Sequence, residues 1–402
     1  MEEARQTEPQ HVHVPATLDV QAVERELSEL WKRNAGASAL DEEGAVMRAR
    51  VLNLMVYISL EQALSEVDKT LAELTTTHPC RALVMLAERE AEDKDIEMFV
   101  SSFCHAEGRK GAGGPLCGEE VKLIACGRFT VELPSAVVPL LVPDLPIFLW
   151  WRDVPHFDDK VFSRLSRASD RVVIDSVSFG KPNGDMRALA EHFQAEDKRH
   201  GALTDLNWSR LTSWRALLAC FYDVPDYRPA LERIVSVKIE YVAPDAAPLQ
   251  IAPQALMIAG WLASRLNWTN SQEQARAEDG SDARAVSLEQ DGRRIVLEFK
   301  RVERPEMKQG RLALVELKTE GEETCAFAVR RSDDGLYLET RATRGADVRA
   351  GRVLKVRNRS EAVLLGRELE IVSHDVVYEQ AIATAVKLLD ALSETAGGDQ
   401  KE

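Results

Sequence analysis

The sequence predicts two domains of different class: an N-terminal α/β domain with a largely parallel sheet, and a C-terminal α+β domain with a mostly antiparallel sheet. The first prediction rests on short, wholly apolar runs such as residues 147–151, which alternate with helical patterns as buried parallel strands do. The second rests on several short stretches after residue 280 in which apolar and polar residues alternate. At 402 residues, the chain is also longer than one core usually holds.

The N-terminal domain is predicted to cover residues 18–205, after an arm of residues 1–17 that is expected to lack regular structure. Apolar residues at helical spacing predict one helix over residues 18–34 and a long second helix over residues 41–78. The second helix is expected to end at His78-Pro79, because proline cannot continue the hydrogen-bond ladder. The other predicted elements are strands at 81–87, 96–105 and 120–126, a short helix at 133–142, strands at 147–151 and 172–175, and helices at 157–168 and 186–198.

The C-terminal domain is predicted to cover residues 206–394, followed by a tail at 395–402 without regular structure. Its first helix is expected to be capped by Asn207 or Ser209 and to extend to about Phe221. The remaining predicted elements are a strand at 233–241, a helix at 253–266, strands at 285–289, 294–300, 312–318, 324–330 and 336–341, and a final helix at 376–392.

The composition excludes several classes of function. The chain carries 66 acidic and 51 basic residues, and its formal net charge of −15 opposes binding to a phosphate backbone, so nucleic acid is not an expected partner. The N-terminus has no apolar signal core. The longest apolar stretch, residues 136–151, contains prolines and Asp144, so it is not a membrane helix. We therefore expect a cytoplasmic protein that does not bind membranes.

The cysteines predict neither a disulfide framework nor a metal site. The chain contains six cysteines and no C-x-x-C pair, which is typical of reduced thiols in a chain of this size. Cys104, Cys117 and Cys126 flank one loop, with His105 beside the first. Their spacing fits no common zinc finger, so no metal is expected.

Catalytic and nucleotide-binding motifs are absent from the sequence. It contains no G-x-x-x-x-G-K-[ST], G-x-S-x-G or H-E-x-x-H motif and no G-x-G-x-x-G after a predicted strand. One alternative is the loop Gly108–Gly114, whose backbone N–H groups could bind a phosphate together with Arg109 and Lys110. The loop lies between two predicted strands rather than before a helix, so a flexible surface connection is the simpler interpretation.

The most distinctive stretch is LLVPDLPIFLWWRDVP, residues 140–155. Asp144 lies between two prolines in a predicted turn. Trp150 and Trp151 are adjacent in a predicted strand, so their side chains are expected to point to opposite faces of the sheet. They either fill the layer between sheet and helices or anchor a partner, and the Arg152-Asp153 turn that follows them slightly favours the second interpretation.

This stretch resembles the corresponding part of the OpcA family of glucose-6-phosphate dehydrogenase assembly proteins. The resemblance extends from about residue 46 to residue 266 and is loose after residue 280. The other matching segments are VMRARVLNL at 46–54, HPCR at 78–81, CGEE at 117–120, DRVVIDS at 170–176, LNW at 206–208, WRALLA at 214–219 and GWLASRL at 260–266.

The resemblance implies a non-catalytic protein without a cofactor. Such a protein would bind glucose-6-phosphate dehydrogenase, promote its assembly and activate it allosterically in the oxidative pentose phosphate pathway. The residues expected to contribute to the partner surface are Asp144, Trp150, Trp151, Arg152 and Asp153. The alternative is an enzyme or sensor that binds a sugar phosphate or nucleotide through the Gly108–Gly114 loop.

Overall fold

The computed structural model describes residues 12–14, 20–40, 47–48, 50–105, 116–195, 201–243, 250–271, 273, 275, 283–321, 323–356 and 360–398. The chain divides into two compact units, each made of several segments. The first unit comprises residues 1–175, 197–206 and 359–374, and the second unit comprises residues 176–196, 207–358 and 375–402.

The strands and helices of the described residues are named in chain order. The strands are β1 (Val12–Val14), β2 (Met47–Arg48), β3 (Leu52–Ile58), β4 (Cys80–Glu88), β5 (Lys94–His105), β6 (Leu116–Cys126), β7 (Ile147–Trp151), β8 (Arg171–Ile174), β9 (Ala202–Asp205), β10 (Ile234–Val242), β11 (Thr269–Asn270), β12 (Ala283–Gln290), β13 (Arg293–Val302), β14 (Leu312–Thr319), β15 (Cys325–Arg331), β16 (Tyr337–Arg344) and β17 (Asp347–Lys355). The α-helices are α1 (Val20–Leu40), α2 (Leu64–Thr75), α3 (Leu133–Val137), α4 (Lys160–Arg167), α5 (Pro182–Gln194), α6 (Leu206–Arg210), α7 (Thr212–Cys220), α8 (Pro253–Arg265), α9 (Glu361–Glu368) and α10 (Val376–Gly398).

The first unit is built on a largely parallel sheet, which confirms the predicted class. Its strand order is β1-β5-β6-β4-β3-β7-β8-β9, and β2 pairs with β6. From β6 to β9 the neighbouring strands are all parallel, whereas β5 is antiparallel to both of its neighbours. The central strands β3, β4 and β7 are buried almost throughout because helices cover both faces of the sheet. On one face, α2 and α9 pack against side chains such as Phe148 and Trp150.

The predicted long helix over residues 41–78 is wrong in its first half. Residues Leu52–Ile58 form β3, and among the described residues of this range the α-helix covers Leu64–Thr75. The apolar side chains between Val51 and Ile58 fit a helical stripe, but the run is apolar at almost every position and every residue of β3 is buried. Periodicity alone cannot distinguish a helix from a strand that is covered on both faces.

Several elements lie where the sequence predicts none. Residues Val12–Val14, within the arm expected to lack regular structure, pair with β5, and α10 continues to Gly398. The last residues of the predicted N-terminal domain form β9, an edge strand of the first unit's sheet for which no strand was predicted. Helix α9 and strand β17 have no counterpart among the predicted elements.

The second unit contains a mostly antiparallel sheet, as predicted. Its strand order is β11-β12-β13-β10-β14-β15-β16-β17, and β10 and β13 are the parallel pair in this order. Strand β10 alternates between buried and half-buried residues, as expected of a sheet with one covered face. Helices α8 and α10 cross closely at Gly260, where an added Cβ would lie 2.1 Å from the carbonyl oxygen of Ala381. Only glycine fits this crossing.

Candidate functional site

The strand order of the first unit defines a topological switch point between β3 and β7. The chain runs outward from β3 to β4 and then β6, and it returns to the other side of β3 to form β7, β8 and β9. This order is the 3-2-1-4-5-6 order of doubly wound dinucleotide-binding sheets, in which ligands bind at the carboxyl ends of the two strands at the switch point. The residues that follow β3 and β7 therefore form the candidate site.

The segment after β3 lacks the features that bind a pyrophosphate. It reads Ser59-Leu60-Glu61-Gln62-Ala63 and contains no glycine that would let a phosphate approach the backbone. Glu61 lies in the short 3-10 helix that precedes α2, and Glu66 lies in the first turn of α2 itself. Carboxylates at a helix N-terminus interact favourably with its dipole but repel an anionic ligand. This end of β3 is therefore poorly suited to a phosphate.

Arg152, directly after β7, lies across the beginning of α2. Its guanidinium donates to the Ala63 carbonyl oxygen at 3.4 Å and pairs with the Glu66 carboxylate at 3.1 Å. It also lies 3.3 Å from the Glu361 carboxylate of α9 and 5.0 Å from the centre of the Trp150 ring. The side chain is only 15% exposed, and carboxylates of the first unit largely neutralise its positive charge.

Asp153 bonds to the chain that leaves β3. Its carboxylate accepts a hydrogen bond from the Ser59 backbone N–H at 3.3 Å. Burial raises the pKa of the Asp153 carboxyl, although the hydrogen bond from Ser59 and the charges of Arg89 and Arg152 oppose this shift. Arg152 and Asp153 together join the ends of β3 and β7, at the position where a dinucleotide-binding sheet would bind its ligand.

On the other face of the sheet, an aromatic stack lies at the carboxyl ends of β3 and β7. The Tyr57 and Trp151 rings are parallel with their centres 3.8 Å apart, and Phe162 of α4 meets the Trp151 ring edge-on at 5.0 Å. The Tyr57 hydroxyl oxygen accepts a hydrogen bond from Arg89 at 3.1 Å, and Arg89 also pairs with Asp159. Burial raises the pKa of the Tyr57 phenol. The stack therefore connects the ends of β3, β4 and β7 with the beginning of α4.

The structure separates the five predicted partner-binding residues. Trp150 and Trp151 point to opposite faces, as predicted, but both are buried, so they fill the layers between sheet and helices and do not present a surface to a partner. Arg152 and Asp153 lie together at the carboxyl end of β7. Asp144 lies beyond the amino end of this strand in an exposed turn with a positive φ of 62°. A five-residue strand, about 17 Å long, separates it from the Arg152-Asp153 pair.

Two buried ion networks of the first unit were not predicted. Arg81, on β4, pairs with Glu119 at 2.9 Å and Glu24 at 2.5 Å, and the Trp31 indole N–H donates to the same Glu119. Arg171, on β8, similarly pairs with Glu368 at 2.7 Å. The sequence does show an arginine within the first two residues of each of these apolar strands, but nothing in the sequence identifies its partners.

Two further expectations concern phosphate and metal binding. The Gly108–Gly114 loop, with Arg109 and Lys110, lies outside the described residues. In the described parts of the chain, no group of three or more His, Cys, Asp or Glu side chains could hold a metal ion. Cys104 and Cys117 are opposite each other in the register of β5 and β6. Across the described ranges, no helix is long and apolar enough to cross a membrane.

Two family models match most of the chain. The model described as the glucose-6-phosphate dehydrogenase subunit N-terminal domain matches residues 72–191. The model described as the C-terminal domain of the same subunit matches residues 201–382. Both models carry the OpcA name, and their order along the chain is that of the two predicted domains.

Curated relatives from cyanobacteria carry the same name, and their names assign them provisionally to the OxPP cycle. The chain is 33% identical to OpcA of Nostoc punctiforme over 227 residues, which cover 56% of this chain and 46% of the relative. It is 30% identical to OpcA of Synechocystis over 49% of this chain and 39% of the relative. OpcA of Synechococcus elongatus is 27% identical over 77% of this chain and 68% of the relative. The match thus spans less than half the length of the first two relatives.

Similarity to solved structures is weaker. An NAD-binding oxidoreductase from Klebsiella pneumoniae is 12% identical, with a TM-score of 0.45 over 87% of this chain and 97% of that protein. An oxidoreductase from Bacillus subtilis gives a TM-score of 0.43 at 10% identity, over 87% of this chain and 98% of that protein. These scores are too low to support an inference. On the evidence of both family models and the three relatives, the chain belongs to the OpcA family of glucose-6-phosphate dehydrogenase assembly proteins.

Proposed function

We propose that this protein is a non-catalytic partner of glucose-6-phosphate dehydrogenase in the cytoplasm, where it binds the enzyme, promotes its assembly and activates it allosterically in the oxidative pentose phosphate pathway. The family supports the first part of this proposal, because its models are named for a subunit of that dehydrogenase. Binding and activation by this chain are inferences from that membership.

One structural observation carries the non-catalytic part of the proposal. The first unit has the strand order of a dinucleotide-binding sheet, yet its own side chains occupy the ends of the strands at the switch point. Arg152 bonds to Ala63, and Asp153 bonds to Ser59, in the region that a cofactor would need. Without a glycine-rich turn after β3, the sheet serves as a scaffold rather than as a cofactor site.

Activation by such a partner requires only a modest free energy. A protein that binds the active conformer of an enzyme more tightly than the inactive one shifts the population toward the active conformer. A tenfold gain in the enzyme's substrate affinity corresponds to about 1.4 kcal/mol of coupling, which an interface of ordinary size can supply. A reaction catalysed by this chain is therefore not needed to explain the proposed activation of the dehydrogenase.

The carboxyl edge of β3, β4 and β7 is the surface that we assign to the partner. It presents Leu60, which is 63% exposed, beside the half-buried Asp153 and the partly exposed Arg89. An exposed leucine bordered by charged groups is typical of a binding surface with an apolar centre and a polar rim. Trp150 and Trp151 contribute indirectly, because they position Arg152 and Tyr57 from within the core.

The surface is tested with substitutions that leave the core intact. Trp151→Ala is unsuitable, because removing a buried, stacked tryptophan costs about 3–5 kcal/mol of stability. Leu60→Asp changes an exposed side chain, and Val138→Asp, at a 40% exposed position that leads into the amino end of β7, is the matched control. Mixtures with the dehydrogenase are examined by analytical ultracentrifugation.

We expect the unmodified chain and Val138→Asp to sediment with the dehydrogenase and Leu60→Asp to bind at least tenfold more weakly. Asp144→Lys separately tests the surface at the amino end of β7. This variant is expected to bind the dehydrogenase normally. If Asp144→Lys loses binding while Leu60→Asp retains it, the assignment of the surface is wrong. If the unmodified chain forms no complex, the proposed function itself is wrong.

A further inference from the structure

The second unit contains a cavity of about 550 Å³ at the carboxyl ends of its parallel strands. Strands β10 and β13 end side by side at Val242 and Val302. The chain after β13 then passes over the end of β10, where the Gly310 N–H donates to the Val242 carbonyl oxygen at 2.9 Å. The helices α5 and α8 begin beside the cavity, at Pro182 and Pro253. Its volume lies within the usual range for small-molecule sites.

A chain of buried hydrogen bonds forms one wall of this cavity. The Asn207 amide nitrogen donates to the Ser176 hydroxyl oxygen at 3.1 Å, and both side chains line the cavity. The Asn207 carbonyl oxygen accepts from the Gln254 amide at 2.6 Å, and the Gln254 carbonyl oxygen accepts from the Leu312 backbone N–H at 3.2 Å. Ser176, Asn207 and Gln254 are each at most 2% exposed. These bonds fix the orientation of the Asn207 amide and the Ser176 hydroxyl at the wall.

The other walls are apolar or carry balanced charge. Proline rings at 182, 253 and 305, together with Phe179 and Met307, provide flat or flexible apolar surfaces. The titratable residues of the lining are Glu306 and Lys308, both exposed and of opposite charge. A lining without net charge does not favour a ligand with several phosphate groups, because such a ligand requires a surplus of cations.

We infer that this cavity binds a neutral small molecule that carries several hydroxyl groups on a ring, such as a free sugar or a nucleoside. Amide and hydroxyl side chains can donate and accept hydrogen bonds at the same time, which matches the hydroxyl groups of such a ligand. The proline, phenylalanine and methionine side chains pack against the C–H face of its ring. This inference rests on the cavity alone and does not require binding to the dehydrogenase.

The test measures binding to the full chain by isothermal titration calorimetry with four probes: glucose, glucose 6-phosphate, adenosine and AMP. We expect saturable binding of glucose or of adenosine, and the two arms distinguish a free sugar from a nucleoside. The phosphorylated form of that probe is expected to bind no more tightly. The probe that binds should also raise the melting temperature in proportion to its occupancy of the folded state.

Two substitutions locate the binding. Val177 lines the cavity and is 49% exposed, so Val177→Trp fills the space without disturbing a buried position and should weaken binding at least tenfold. Val348→Trp makes the same change at a position of the second unit that is 57% exposed and outside the lining, and it should leave affinity unchanged. Lys308→Gln should alter affinity less than twofold, because the expected ligand carries no charge.

Three outcomes would overturn the inference. The first is no saturable binding of either neutral probe at millimolar concentration. The second is binding that Val177→Trp leaves unchanged, which would place the ligand elsewhere. The third is binding of the phosphorylated probes alone with a loss in Lys308→Gln, which would show that the cavity selects an anion.

Discussion

The two units differ in the residues that lie at the carboxyl ends of their parallel strands. In the first unit, the switch point between β3 and β7 is bridged by charged side chains: Arg152 bonds to the start of α2, and Asp153 bonds to Ser59. In the second unit, the carboxyl ends of β10 and β13 border an open cavity whose polar wall consists of uncharged Asn207 and Ser176. The position in the first unit is the one where open α/β sheets commonly bind ligands.

Strand order therefore locates a candidate site, but the residues after the strands decide whether a ligand can enter. The polar groups that we compare within the two units also differ. The first unit holds buried charges in ion networks around Arg81 and Arg171. The second unit places the amides of Asn207 and Gln254 at the end of its parallel pair. We therefore expect the two units to respond differently to the loss of a polar group.

The largest effect is expected from Arg81→Ala in the first unit. Arg81 is 2% exposed and its partner Glu119 is fully buried, so the substitution removes the nearer of the two cations that pair with this core carboxylate and leaves the Arg50 guanidinium at 3.4 Å. Breaking a buried ion pair in this way costs about 3–5 kcal/mol. The free energy of unfolding is measured by urea denaturation, with the exposed Arg33→Ala as control. A loss below about 1 kcal/mol would mean that the network does not stabilise the first unit.

Gln254→Leu in the second unit should cost somewhat less. It removes the partners of the Asn207 carbonyl oxygen and the Leu312 N–H but leaves no uncompensated charge. The loss of these two buried hydrogen bonds predicts a loss of about 1–3 kcal/mol in the free energy of unfolding. The exposed Gln62→Leu provides the matched control and should change stability by less than about 0.5 kcal/mol. If Gln254→Leu matched Arg81→Ala in cost, the expected difference between a buried ion pair and a buried amide would fail.

The smallest effect is expected from Asp153→Asn, which keeps an acceptor for the Ser59 N–H and removes a partly buried charge. Burial raises the pKa of Asp153 in the folded state, so the ionised carboxyl destabilises the fold at neutral pH and the protonated form does not. Asp153→Asn should therefore unfold at higher urea concentration than the unmodified chain at pH 7. Its advantage should fade as the pH falls through the raised pKa to the unfolded value, about 3.9. A gain that grew on acidification would contradict this reasoning.

The sequence predicted both fold classes and most strands, because continuous apolar runs and alternation report how a strand is covered. The prediction failed where those signals overlap, as in β3, whose buried side chains also fit a helical stripe. The positions of the predicted site residues also required the structure. Trp150 and Trp151 were distinctive as residues, but only the three-dimensional structure shows that they are buried and that Asp144 lies at the opposite edge.

The sequence does not identify the partners of Arg152. Glu66 and Glu361 are separated from it by long stretches of chain, and no local pattern links them. The cavity of the second unit was missed for the same reason. Its lining combines residues 176–182, 207, 253 and 305–310, which only the fold brings together.

We propose that this chain acts on glucose-6-phosphate dehydrogenase and has no reaction of its own. This proposal is tested by measuring the rate of the dehydrogenase over a range of glucose 6-phosphate concentrations, with and without a saturating amount of this protein. We expect the half-saturating substrate concentration to fall, by about tenfold for a coupling of 1.4 kcal/mol. Unchanged kinetics, or turnover of the substrate by this protein alone, would contradict the claim.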